Sequence, residues 1–147
     1  MGKREMILEN IVSTLTGITK ENGYDFDMKY VTREWNEYHN LKQKQYPATI
    51  VVWTEEGDEP AGANATYILS RLKVLLRGYI KASKNLEKKL NEYVDNVIIA
   101  MEKDSTRGGH ANYTMPVRKR AYNTQEQNVI ACDIEYSVLH ISKYGEV

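Results

Sequence analysis

The chain has 147 residues, 41% hydrophobic and 27% charged, and its 20 basic and 20 acidic side chains cancel to a formal net charge of zero. That length suits one domain spanning residues 1–147, and the apolar content excludes wholesale disorder. No run approaches the roughly 18 apolar residues a membrane helix needs, the amino end has no signal-peptide core, and the single cysteine, Cys132, excludes an internal disulfide framework. These features predict a cytoplasmic protein, with no global attraction to nucleic acid or anionic lipid.

In chain order, Ile7, Ile11, Leu15 and Ile18 recur at helical spacing, flanked by Leu8 and Val12, and predict a helix over residues 7–18 that Lys20-Glu21-Asn22-Gly23 brings to an end. Tyr24, Phe26, Met28 and Tyr30 then alternate with polar residues, the period of a half-buried strand. Residues 36–45 read as a polar surface connection, and Tyr46-Pro47-Ala48-Thr49-Ile50-Val51-Val52-Trp53 as a β-branched strand opened by a proline. Glu55, Glu56, Asp58 and Glu59, broken by Gly57 and followed by Pro60 and Gly62, predict a projecting loop, mobile in the free chain.

From Ala65 to Ala82 the apolar residues Ile68, Leu72, Val74, Leu76 and Ile80 fall on even positions, which predicts a long strand with an even core face. Leu86, Leu90, Val94, Val97 and Met101 predict a second helix, capped by Asn85 and stopped by Gly108-Gly109. Val117–Tyr122, a turn at residues 123–127 and a strand over residues 128–142 complete a hairpin. The order αβββαββ, without a glycine-rich nucleotide turn, predicts an α+β domain: a mainly antiparallel sheet with two helices on one face.

Catalytic chemistry has little to stand on. His39, His110, His140 and Cys132 have no metal-ligand spacing, and Cys132 falls on the core face of the last strand. The acidic run lacks a calcium-loop pattern, and nucleophile, zinc and phosphate-loop motifs are absent. The sequence therefore predicts no enzyme, no catalytic residue, no metal and no cofactor.

Charge and aromatic patterning point to binding. Basic residues gather between Arg71 and Lys89 and at Arg118-Lys119-Arg120. They suit a phosphate-binding face, a solvated face, or the basic half of a subunit contact whose acidic half is Glu55, Glu56, Asp58 and Glu59. Eleven tyrosines stand against one phenylalanine, as at surfaces that are wet before assembly and dry afterwards. Tyr67, Arg71, Lys73, Arg77 and Tyr79 share the odd face of the long strand and are the expected subunit-facing or lumen-facing residues.

In size, element order and the aromatic-Pro-Ala start of the second strand, the whole chain resembles the tail terminator proteins of tailed bacteriophages. That resemblance implies a tail-tube-like fold and a homo-hexameric ring. The ring would cap the finished tail tube, touch the tail tube protein and the head-completion or neck proteins, and form the head–tail joining surface of the virion after assembly in the host cytoplasm. DNA would pass through its lumen without sequence-specific binding, and no membrane would be involved. The alternative from another class is a nucleic-acid-binding module using the basic strand around Arg71 to Lys81.

Overall fold

Alternating apolar and polar side chains build one five-stranded sheet in the computed structural model, which describes residues 2–35 and 41–143. The elements are α1 (Lys3–Thr16), β1 (Tyr30–Thr32), β2 (Ala48–Ala61), β3 (Tyr67–Lys81), α2 (Leu86–Glu102), β4 (Tyr113–Asn123) and β5 (Val129–Lys143). Strand order is β1-β2-β3-β5-β4, with β1 parallel to β2 and every other neighbour antiparallel. This is the expected α+β class and element order.

Both helices cover one face of the sheet. Ile7, Leu8, Ile11 and Leu15 of α1 and Leu90, Tyr93, Val97 and Met101 of α2 close over Leu72, Val74 and Leu76 of β3 and Ile134, Tyr136 and Val138 of β5. The opposite face is not bare. Tyr46, Ile50, Val52, Leu75, Tyr79, Val129 and Ala131 form a second, smaller apolar cluster there, with Leu41 and Tyr122 packed against it. Leu76→Ala should therefore cost about 2 to 5 kcal/mol, and Leu75→Ala, on the thinner side, about 1 to 3 kcal/mol. Urea denaturation of the two variants checks the order.

Four local expectations are corrected. Residues 24–29 form no strand: Tyr24, Phe26 and Met28 pack on the core, Asp25 bonds to Asn96, and only Tyr30–Thr32 joins the sheet. Helix α1 ends at Thr16 with Gly17 at its C-cap, before the turn at Lys20–Gly23. Asn85 precedes α2 in a left-handed conformation (φ 58°) and its side chain caps nothing. The end of α2 comes well before Gly108-Gly109 and is held by Arg107. This fully buried guanidinium donates to the carbonyls of Met101 (2.5 Å) and Asp104, where helix carbonyls lack their own donors.

The largest correction concerns the acidic segment. It is no loop: β2 runs through it to Ala61 in register with β3, after one bulge between Trp53 and Glu55. Cross-strand partners make this possible. Glu55 lies 3.6 Å from Lys73 and Glu59 lies 3.0 Å from Arg71, so carboxylates that repel along the strand are neutralised across it. Only residues 62–66 remain to close the hairpin, through a 3-10 turn at Ala63–Ala65. Accordingly, amide exchange of the free chain should show protection in residues 55–61 at the positions bonded to β3.

Candidate assembly interface

Two sheet edges stand open, and the prolines mark them. Beyond Ile50, β2 has no outer partner among the described residues, and β4 has none along its whole length. Pro60 lies in the open part of β2 and Pro116 in β4 beside a bulge, where a missing backbone N–H leaves no ladder bond unmade on the outer side. Strand β4 also begins earlier than expected, at Tyr113, and exposes Tyr113, Met115 and Val117 together with Arg118, Lys119 and Arg120. One edge strand thus carries Glu55, Asp58 and Glu59, exposed but with Glu55 and Glu59 already paired to Lys73 and Arg71 of β3, and the other carries Arg118, Lys119 and Arg120 with no ion pair among the described residues.

On the helix side of the acidic edge, Glu56 is gripped by Arg4 (2.7 Å) and by His140 (3.1 Å), while Ser70 donates to Asp58 (2.5 Å). With Gly2, Lys3, Ile68 and Ser142 these groups line a cavity of about 210 Å³ under the first turn of α1. Arg4 also stacks on the exposed Trp53 at 4.7 Å. The contact ties α1 to the edge strand and fixes the position of Glu56.

The residues expected to face a neighbour divide. Tyr67 and Arg71 are exposed and Lys73 half-buried, on the helix-free face of the sheet. Tyr79 is buried in the second cluster, so it is no subunit-facing residue. Arg77 is also committed within the chain. Its Nε and one terminal nitrogen donate to the two oxygens of Asp133 at 2.8 and 3.0 Å, and its plane lies over Trp35 and Tyr122. The hydrogen bonds to Asp133 raise the Arg77 pKa, and burial beside that carboxylate pushes the Tyr122 hydroxyl up to about 12. The expected pairing of acidic segment and basic strand between subunits is thus largely realised inside one chain.

What remains on the helix-free face is unbalanced. By register it carries Arg71, Lys73, Arg77 and Lys81 of β3, Arg118 and Arg120 of β4 and Lys143 of β5, against Glu55 and Glu59 of β2 and Asp133 and Glu135 of β5. Seven cations against four carboxylates leave the strands an excess of three positive charges on this face, which Glu126, bonded to the Tyr46 hydroxyl at 3.2 Å, reduces. Exposed apolar groups, Tyr67, Tyr113, Met115 and Ile141, share this face near the hairpin end.

Of the remaining chemistry-bearing residues, Cys132 is buried, which pushes its thiol up to about 11 and away from the reactive thiolate. Among the described residues no three His, Cys, Asp or Glu side chains gather where a metal ion would sit, and no helix is long and apolar enough to cross a membrane. His39 lies outside the described residues, as do residues 36–40 of the expected connection. Comparison of the sequence with protein-family models and with curated proteins gives no match.

Proposed function

We propose that the protein assembles head to tail into a ring that caps the phage tail tube and presents the head–tail joining surface, the role implied by its resemblance to tail terminators. The observation that carries this reading is the pair of open, oppositely charged edges on one sheet. Counting across β2, β3, β5 and β4, the two outer strands run in opposite directions, so β4 of one copy meets β2 of the next antiparallel, with the helices on the same side. Pairing β4 with a second β4 would instead oppose two Arg118-Lys119-Arg120 runs. Charge therefore selects the heterologous contact, and a heterologous contact whose rotation closes makes a ring.

Register supports the same contact. Within one sheet Arg118 is level with Val52 and Arg120 with Ile50, where β1 already occupies the outer side of β2. A closed sheet staggers by about one residue per strand, as an eight-stranded barrel of shear eight does, so four strands advance a copy by about four residues. In the sense leading towards the hairpin, that stagger sets the arginines beside Glu55 and its neighbours and clears β1. Negative-stain microscopy of the purified chain with isolated tail tubes provides the test. Rings at tube ends are expected, and tube ends left bare by soluble monomers would refute the role.

A further inference from the structure

We infer that the groove between α2 and β4 receives Trp53 of the neighbouring copy; this deepens the ring reading and rests on it. An exposed aromatic ring stands on one edge of the sheet and an opening on the other. Leu90 and Val94 of α2, Ala121 of β4 and Cys132 of β5 line an open groove of about 380 Å³, with Asp95 and Lys119 at its rim. Both rim charges are exposed, and neither has an ion pair within 4.0 Å among the described residues. On the far edge Trp53 is 43% exposed on the helix side of the sheet, with the Arg4 guanidinium 4.7 Å above its ring.

Register brings the two together. Within one sheet Ala121 shares a row with Cys132 and Gly78, whereas Trp53 shares a row with Val74, four residues along β3. The stagger of about four residues that clears β1 therefore sets Ala121 of one copy opposite Trp53 of the next, with Lys119 opposite Glu56 and Arg120 opposite Glu55. The sides agree as well. Trp53, Glu56, Lys119 and Ala121 pair with Val74, Leu72, Ile134 and Cys132 beneath the helices, while Glu55 and Arg120 pair with Lys73 and Asp133 on the helix-free face. The stagger follows from β1 and the edge charges alone, so the meeting of Trp53 with the groove supports the contact independently. Burial of the indole against Leu90 and Val94 gives a charged contact its apolar anchor, and Arg4, riding on the Trp53 ring, brings a cation to Asp95.

Fluorescence of a Trp35→Phe chain, which leaves Trp53 as its single tryptophan, tests the anchor while sedimentation follows assembly. As rings form, the emission should move to the blue and quenching by acrylamide should fall severalfold. Trp53→Ala should weaken assembly about thirtyfold or more, the loss expected of an aromatic anchor. Ala121→Phe, at an exposed strand position, fills the groove from the other side and leaves every edge charge in place. It should weaken assembly comparably, with Trp53 still open to acrylamide and the circular-dichroism spectrum of the dilute chain unchanged. Rings in which Trp53 is quenched as in the monomer, or variants that assemble like the parent, would overturn the inference and leave the edge-paired ring standing. A parent chain that stays monomeric both alone and beside isolated tail tubes would refute the ring and the anchor together.

Discussion

Gly78→Ala is expected to destabilise the fold by about 3 kcal/mol or to prevent folding, although it adds one methyl group to a strand. A Cβ built at Gly78 would stand 2.3 Å from both Cζ and the hydroxyl oxygen of Tyr93. That ring has nowhere to go. It is 1% exposed, stacks with Phe26 at 6.0 Å between centroids, and its hydroxyl is bonded to Thr49 at 2.7 Å. Burial also raises its pKa well above the tyrosine range, so the hydroxyl stays neutral at any pH the protein meets. Movement of the ring would break the hydrogen bond and open a void between α2 and the sheet. Tyr93→Val, costly alone, should recover part of the loss in combination with Gly78→Ala, and urea denaturation of the double-mutant cycle reads the coupling. Simple additivity would show that the close approach is not the cause.

Arg77→Glu is the second large effect, and it falls on the monomer. From the sequence Arg77 reads as an exposed interface charge whose reversal would spare the folded chain. In the structure its side chain is 28% exposed and forms a two-pronged pair with Asp133, itself 21% exposed. Reversal removes that pair and sets two half-buried carboxylates against each other beneath Trp35 and Tyr122. A loss of about 2 to 3 kcal/mol follows, less than for a fully buried pair because solvent still reaches both groups. Asp133→Asn in the same chain relieves the repulsion and should restore part of it. Thermal denaturation in dilute solution, where assembly is absent, makes the measurement; an unchanged midpoint for Arg77→Glu would return this residue to the interface.

The two helices, the long third strand and the closing hairpin are legible because each satisfies one period over many residues. The even face of β3 is buried from Leu72 to Ile80, as its alternation predicts. Failures occur where two signals compete. Tyr24, Phe26 and Met28 alternate because an extended segment packs over the core, and a strand needs a neighbour that the pattern cannot reveal. Glycine, proline and four carboxylates at residues 55–62 carry every mark of a loop, yet lysine and arginine on the paired strand cancel the repulsion. That pairing is non-local, and the alternation of Arg71 and Lys73 opposite the acidic run is the one sequence signal that announces it.

The interface residues are harder to read for a related reason. The odd face of β3 is continuous in sequence but not in space, since the second cluster buries Leu75 and Tyr79 and Asp133 takes Arg77, leaving Tyr67, Arg71 and Lys73 accessible. Which edges stay open depends on strand order, which no period encodes. Pro60 and Pro116 are the local clues, since proline within a strand points to an edge.

Mixing two edge-reversed chains tests the head-to-tail contact most directly. Arg118→Glu with Arg120→Glu makes both edges of a copy acidic, and Glu55→Lys with Glu59→Lys makes both basic, so neither chain alone should assemble; the second pair also gives up the contacts with Lys73 and Arg71, so amide exchange of residues 55–61 checks that its β2 is still formed. Sedimentation of an equal mixture should restore closed rings, because every β4–β2 contact then joins opposite charges in alternation. Either reversed chain assembling alone like the parent, or a mixture of folded chains that stops at dimers, would contradict the edge-paired ring.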